Sequence, residues 1–311
     1  MRGVWVAKAV IQKGISVLPN AQRVNRRFQD MGGRLGTSGP PLQRLEWAGR
    51  HLRTFDELGA HAGGPRPTGF RVLELGSGWH PIVPLVLMLG GADEVMLCDL
   101  EDLSDARLLG DAIDAVLASA DSGDLAELVP GILPERLERL RVARKGLDRD
   151  GRFITLARLG LKVAPGDVRE LRPAEAPDLI VSNTVLEHIA PPVLVGILGS
   201  FARMAAPGTV MSHLVDMCDH YLYVDGSLTP YHFLRYTERQ WRWIDNSVQP
   251  MNRLRVQQYQ DIYRDAGVQI TRERRGDGTP ADLAGVRLAP PFSEMGPDDV
   301  ACKSVWFDTL F

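Results

Sequence analysis

Cysteine is scarce in this chain, with only Cys98, Cys218 and Cys302 among 311 residues. Three widely separated thiols set among strand-like residues exclude a disulfide framework, read as reduced, and point to the cytoplasm. No apolar run approaches the roughly twenty residues that a bilayer-spanning helix needs. The N-terminal stretch is not read as a signal peptide, because Lys8 and Lys13 interrupt its apolar residues and no small-residue cleavage site follows. Basic charge is not in excess either. The 36 lysines and arginines face 39 acids, a net charge of −3, so a nucleic acid held by phosphate neutralisation is not the expected partner. Internal repeats and low-complexity segments are also lacking.

What is present is a hydrophobic fraction of 44%, enough for the core of one α/β unit with additions. The chain is organised around residues 70–81. Val72, Leu73 and Leu75 form a short apolar run of the buried-strand type, and Gly76 and Gly78 break it with residues that tolerate close backbone approach. Pro81 suits a first helical turn, and Ile82 to Leu89 continue as an apolar helix. Strand, glycine turn and helix together form the unit by which doubly wound sheets present an open crevice to a nucleotide-like ligand. The third glycine of a dinucleotide fingerprint is missing, and no Lys-Ser or Lys-Thr follows the turn, which excludes a phosphate-binding loop.

A second strand is expected at residues 93–100, where an apolar run closes on Asp99. A carboxylate at that strand end sits beside the crevice and can accept both hydroxyls of a ribose. Alternatively, it is a solvated strand-end acid. The third strand is expected at Leu161 to Val163, followed by Gly166-Asp167-Val168. The fourth opens at Asp178 and ends at Ser182-Asn183, leading into Val185-Leu186-Glu187-His188. A fifth, Val210 to Val215, precedes the densest collection of aromatics, imidazoles and carboxylates in the chain. A sixth is expected at Val268 to Arg272 and a last at Lys303 to Phe307. Helical periodicity appears at residues 46–58, 106–120, 134–145 and 193–204.

The pattern Glu74-x-Gly76-x-Gly78, with Val-Leu-Glu-His after the fourth strand, resembles the class I S-adenosylmethionine-dependent methyltransferases. The string Gly-Ser-Gly-Trp-His-Pro is similar to a group of bacterial methyltransferase-like proteins loosely associated with polysaccharide gene clusters. The resemblance implies a Rossmann-like α/β fold, a mostly parallel seven-stranded sheet whose last strand runs antiparallel. It also implies S-adenosylmethionine as cofactor, bound by Glu74, Gly76, Ser77, Gly78, Trp79, Asp99 and Leu100. Asp167 and Val168 would lie at the adenine and Asn183 under the cofactor. Neither an Asn-Pro-Pro-Tyr clamp nor a Pro-Cys pair is present, which removes the usual handles for base methylation of nucleic acids.

The domain reading is an N-terminal helical extension over residues 1–60 and a methyltransferase domain over 61–311. Within it, residues 103–160 are an insertion on the rim and residues 216–260 the substrate-binding segment. The acceptor is expected to be a small molecule or sugar. Its proton, if it carries one, would go to His220, oriented by Asp216, or to His188. Asp216, Asp219, His220, Asp225 and His232 could in principle assemble a metal site, but their spacing matches no metal motif, and no metal is expected. Two rival readings stay open: a non-catalytic cofactor-binding or assembly protein, and an NAD-dependent oxidoreductase on a similar framework. Val4, Ala7, Ile11, Ile15 and Leu18 fall on one helical stripe, near Arg23, Arg26 and Arg27. That stripe either packs on its own domain or makes peripheral contact with a membrane. Oligomeric state is not legible.

Overall fold

The computed structural model describes residues 3–18 and 41–311. Seven strands form one sheet: β1 (Phe70–Leu75), β2 (Ala92–Asp99), β3 (Leu161–Pro165), β4 (Leu179–Asn183), β5 (Val210–Asp216), β6 (Arg272–Arg275) and β7 (Ser304–Leu310). Their order is β3-β2-β1-β4-β5-β7-β6. The pairs joining β3, β2, β1, β4 and β5 are parallel, and β7 runs antiparallel to both β5 and β6. Leu75 pairs with Cys98 on one side and Ser182 on the other. The C-terminal ends of β1, β2, β4 and β5 therefore share one edge. The strand order reverses at β1, the position where open α/β sheets leave a crevice.

Helices cover both faces because β1 and β4 are apolar on both sides. Against one face lie α2 (Pro41–Leu58), α3 (Ile82–Leu89), α4 (Ala106–Ser122) and, beyond the short α5 (Asp124–Leu128), α6 (Pro134–Arg158). Leu45, Leu85, Ile113 and Leu147 meet Val72, Leu97 and Val181 there. On the other face, α7 (Pro191–Met204) and α9 (Val256–Asp265) press Phe201, Tyr259 and Tyr263 onto Leu73, Ile180 and Phe307. A third cluster joins Ala9 of α1 (Val4–Ile15) to Tyr221, Tyr231, Phe233 and Trp241, the last from α8 (Glu238–Ile244). Here the chain between β5 and α9 folds into short 3-10 turns over the strand ends.

Several elements differ from their sequence-based expectation. Of the stripe expected on α1 only Ile15 is buried, together with Ala9 and Gln12; Val4, Ala7, Ile11 and Leu18 are exposed. The partner surface carries Gln249 and aromatic rings, so Gln12 and Trp5 make better contacts than the valines. Arg23, Arg26 and Arg27 lie outside the described residues, as does most of the turn expected at Gly32 to Pro41. The second helix of the insertion runs past Lys145 to Arg158, with a break at Gly151 (φ 75°). β6 is Arg272–Arg275 rather than Val268 to Arg272. It is an edge strand, where charge is tolerated, and Arg272 reaches Asp308 of β7 (2.9 Å) and Glu57 of α2 (2.5 Å). Val268 is buried with α9 instead. All three cysteines are free thiols. Among the described residues, no helix is long and apolar enough to cross a membrane.

Candidate active site

The turn after β1 contains two glycines with different duties. Gly76 (φ 76°) donates its N–H to the Cys98 carbonyl at 2.7 Å, and a Cβ there would lie 2.3 Å from Val185 Cγ2. The turns following β1 and β4 thus touch through a missing side chain. Gly78 (φ 60°) faces open space, with only the Gly76 carbonyl at 4.0 Å from an added Cβ. Its N–H donates to Asp99 Oδ2 at 3.2 Å, joining the ends of β1 and β2. Burial pushes the Asp99 carboxyl up from its ordinary value, against N–H groups of Gly78, Leu100 and Glu101 that pull it down. Ser77, Gly78 and Asp99 line a solvent-open cleft. Asp102 and Arg152, paired across it through two bonds of 2.6 and 2.7 Å, bring the insertion into its wall.

Glu74 and Asn183 lie beneath this turn, inside the protein. Burial, then the Asp99 charge, raises Glu74 to about 8, while Arg44 and Asn183 act to lower it. Arg44 is itself brought down to about 10 by burial, with Glu74 opposing. The Asn183 amide nitrogen faces Glu74 without an aligned hydrogen bond, and Glu74 Oε2 is unpartnered. His51 of α2 donates from Nε2 to Asn183 Oδ1 at 3.0 Å, and burial keeps its ring neutral, near 3. The structure therefore brings Glu74, Asp99 and Asn183 together, with Asp99 on the cleft and the other two as its support.

The remaining cofactor-side residues are placed differently. Asp167 caps its own 3-10 turn by accepting from Arg169 N at 2.9 Å and pairs with the Arg169 side chain, which lowers its pKa. The Val168 side chain is buried in the α7 face of the core, Leu100 is 76% exposed, and Trp79 is half-buried.

At the ends of β4 and β5 a second polar cluster forms. Thr184 takes φ 52°, a strained value for a β-branched residue, and turns the chain into a 3-10 segment, Leu186–His188. Glu187 is 2% exposed, and neither of its carboxylate oxygens has an aligned hydrogen bond, although the backbone N–H groups of Glu187 and Asp216 act to lower its pKa. Burial, then Asp216, raises its pKa far above the carboxylate range. His188 Nδ1 lies 2.6 Å from the Pro250 carbonyl. A carbonyl only accepts, so Nδ1 carries the proton and Nε2 presents a lone pair. Burial and then His220 lower the His188 pKa to about 4.

His220 stands beside it, ring centroids 4.9 Å apart. Its Nδ1 meets the Gln249 amide at 3.2 Å, and Nε2 approaches Asp216 Oδ2 at 3.3 Å without hydrogen-bond alignment. Burial acts to raise Asp216, but the His220 contact and a 2.7 Å hydrogen bond from Tyr223 bring it below its ordinary value. A small pocket opens from His220, lined also by Tyr221, Trp241 and Gln249 and covered by Gln12 of α1.

The five residues considered for a metal from sequence do not converge. Asp219 pairs with His232 at 3.0 Å, and Asp225 is engaged with Ser227. Among the described residues, Glu187, His188 and His220 do converge, with donor atoms within 4.8 Å of one another. Sequence reasoning passed over Glu187 as a ligand and missed Arg44, His51 and Asn252. Asn252 fixes the Glu187 segment by donating to the Leu186 and Ile189 carbonyls at 2.8 Å and to the Glu187 carbonyl at 2.8 Å through its backbone N–H. The acid of Val-Leu-Glu-His was the one available signal.

A parallel sheet that reverses at β1, with β7 inserted antiparallel between β5 and β6, decides the architecture. The fold is the Rossmann-like methyltransferase fold. No protein-family model matches the sequence, and no curated protein matches it. Among solved structures, the chain is similar to the N-methyltransferase NodS from Bradyrhizobium japonicum WM9 (12% identity, 88% of this chain and 98% of that one, TM-score 0.40). It is also similar to phosphoethanolamine N-methyltransferase 2 of Haemonchus contortus in complex with S-adenosyl-L-methionine (13% identity, 86% and 56%, TM-score 0.43). A third similarity is to PigF with SAH (15% identity, 78% and 50%, TM-score 0.38). The chain spans about half the length of the first-named partner of each of the last two comparisons.

Proposed function

We propose that this chain transfers a methyl group from S-adenosylmethionine to an oxygen or nitrogen of a small molecule or sugar. The observation that carries the reading is Asp99: a half-buried carboxylate at the end of β2, bonded to the Gly78 N–H and lining a cleft at the point where the sheet order reverses. Such a carboxylate fits a ribose diol, and the open side of Gly78 leaves room for a ligand to lie against the backbone. When bound, S-adenosylmethionine supplies a methyl carbon on a cationic sulfur, which leaves with the carbon–sulfur electron pair as the acceptor's lone pair forms the new bond.

The protein's own part is to hold the two reactants in line and exclude water. Ser77, Gly78 and Asp99 hold the cofactor; Glu74 and Asn183 keep the turn in place from below. His220 meets the acceptor in the cavity that α1 covers, with Asp216 and His188 beside it. The free thiols fit a cytoplasmic setting. The outward Val4, Val6, Val10 and Ile11 of α1 suit peripheral contact with a membrane, which co-sedimentation with lipid vesicles tests.

Calorimetric titration with S-adenosylmethionine and S-adenosylhomocysteine on the wild type and Asp99→Ala tests the cofactor assignment. Losing hydrogen bonds to a charged group costs about 1.5–3 kcal/mol, so binding is expected to weaken about 10-fold to 100-fold. Equal binding by the two proteins removes Asp99 from the ribose. A labelled-methyl screen over sugars, phenols and amines then separates transfer from mere cofactor binding, and a nicotinamide absorbance change would favour the oxidoreductase instead.

A further inference from the structure

We propose that Glu187, His188 and His220 bind one first-row divalent metal ion at the acceptor end of the cleft, with zinc, manganese or cobalt rather than magnesium as the occupant. Glu187 is the strongest reason. Its carboxylate is buried with neither oxygen in an aligned hydrogen bond; only the backbone N–H groups of Glu187 itself and of Asp216 act to lower its pKa, and the charge acting on it is that of another carboxylate, Asp216. A buried polar group without a partner is rare and costly, and a cation among these donors supplies the partner.

Of the two histidines, one is already arranged as a ligand is. His188 has its Nδ1–H fixed on the Pro250 carbonyl, leaving the Nε2 lone pair to point away from it. His220 Nδ1 accepts from the Gln249 amide, which leaves the ring proton on Nε2, 3.3 Å from Asp216 Oδ2; ligation at Nε2 turns the Gln249 amide over, so that its oxygen takes an Nδ1–H. A ring whose second nitrogen donates its N–H to a carbonyl is the usual outer-shell arrangement at metal centres, and His188 has it. Three donor atoms within 4.8 Å of one another need only a small closure to sit about 2.0–2.2 Å from one ion. Asn252 holds the Glu187 segment through three backbone contacts, so the donors are carried on a braced turn.

Two imidazoles and one carboxylate suit zinc and its first-row neighbours, whereas magnesium takes oxygen ligands. Three protein donors leave coordination positions open, beside the cavity that His220 lines. The site's use rests on the methyl-transfer reading: a cation there lowers the pKa of a bound hydroxyl, which favours oxygen over nitrogen as acceptor atom. Ligation then replaces the proton-accepting role expected of His220.

The test is uptake of the ion itself by the metal-stripped full chain, followed by calorimetry with Zn²⁺ and by the visible absorption of bound Co²⁺. One ion per chain is expected. Outer-shell changes weaken metal sites 10-fold to 100-fold, so Glu187→Gln and His188→Ala are each expected to weaken uptake by about 100-fold or more, with S-adenosylmethionine affinity retained. If Glu187→Gln fails to fold, as its melting curve would reveal, His220→Asn gives the same readout. No uptake at micromolar ion, or equal uptake by wild type and variants, overturns the site. Ion uptake without S-adenosylmethionine binding keeps the site and removes the methyl-transfer reading. Cofactor binding without ion uptake does the reverse and returns His220 to proton transfer beside Asp216.

Discussion

Gly76 and Gly78 show how much one hydrogen atom in place of a methyl group decides. Both take positive φ, which costs other residues roughly 1–2 kcal/mol. At Gly76 a side chain would also collide with Val185, whereas at Gly78 it would enter open space. Gly76→Ala is therefore expected to destabilise the fold by about 3 kcal/mol or more, and Gly78→Ala by about 1 kcal/mol, in urea unfolding. Val185→Ala should recover part of the first loss and none of the second, a coupling that a double-mutant cycle reads directly. Equal costs for the two alanines would show that the turns after β1 and β4 do not touch. Asp99 and the glycines were legible in the sequence because their meaning is local: a strand, a break, an acid at a set distance. Glu187 was not, since burial without a partner is created only when β4, β5 and Asn252 meet.

Elements were readable to the extent that burial followed their own periodicity. β1 and β4 are buried on both faces and announce themselves as apolar runs; β6, reading Arg-Glu-Arg-Arg, announces nothing, because an edge strand is held by ladder bonds and ion pairs. In α6 the periodicity was legible as far as Lys145, and the charged residues beyond it hid the second half, which packs through Leu147, Thr155 and Leu156. α1 misled in another way, since its buried side is chosen by what it covers. Trp5 stacks edge-on against His232 at 4.8 Å, Gln12 bonds to Gln249 at 3.2 Å, and Lys13 donates to the Asp245 carbonyl at 2.6 Å. These contacts are confined to the third cluster and do not reach the sheet. Trp5→Ala is expected to cost about 2 kcal/mol, less than a fully buried aromatic, with hydrogen exchange accelerating in α1 and residues 220–250 alone. Faster exchange in β1 and β4 would make α1 part of the main core instead of a cover over the acceptor cavity.

At the scale of the whole molecule, the sheet order followed from motif succession, whereas the buried charge pattern required the packed structure. Buried imidazoles and a buried carboxyl now set opposing limits on stability. His51 and His213 are held near 3 by burial, below an unfolded value of about 6.5. Their neutral forms are tolerated above that value, and stability is lost as pH falls from about 6.5 toward 3, where the unfolded chain takes up protons that the folded one refuses. Glu74 has the opposite sign. Its folded value near 8 lies above an unfolded value of about 4.3, so its contribution is complete below pH 4.3 and declines as pH rises to 8. Each group changes stability by on the order of 1.4 kcal/mol per pH unit within its window. Comparing wild type with Glu74→Gln by urea unfolding cancels the other titrations. The variant is expected to gain on the wild type steadily between about pH 4.3 and 8 and to hold a constant difference beyond. His51→Gln should show its gain on the acid side, below about pH 6.5. A difference for Glu74→Gln that does not vary with pH would mean that Glu74 stays ionised beside Arg44, and the support drawn under the glycine turn would have to be redrawn as an ion pair.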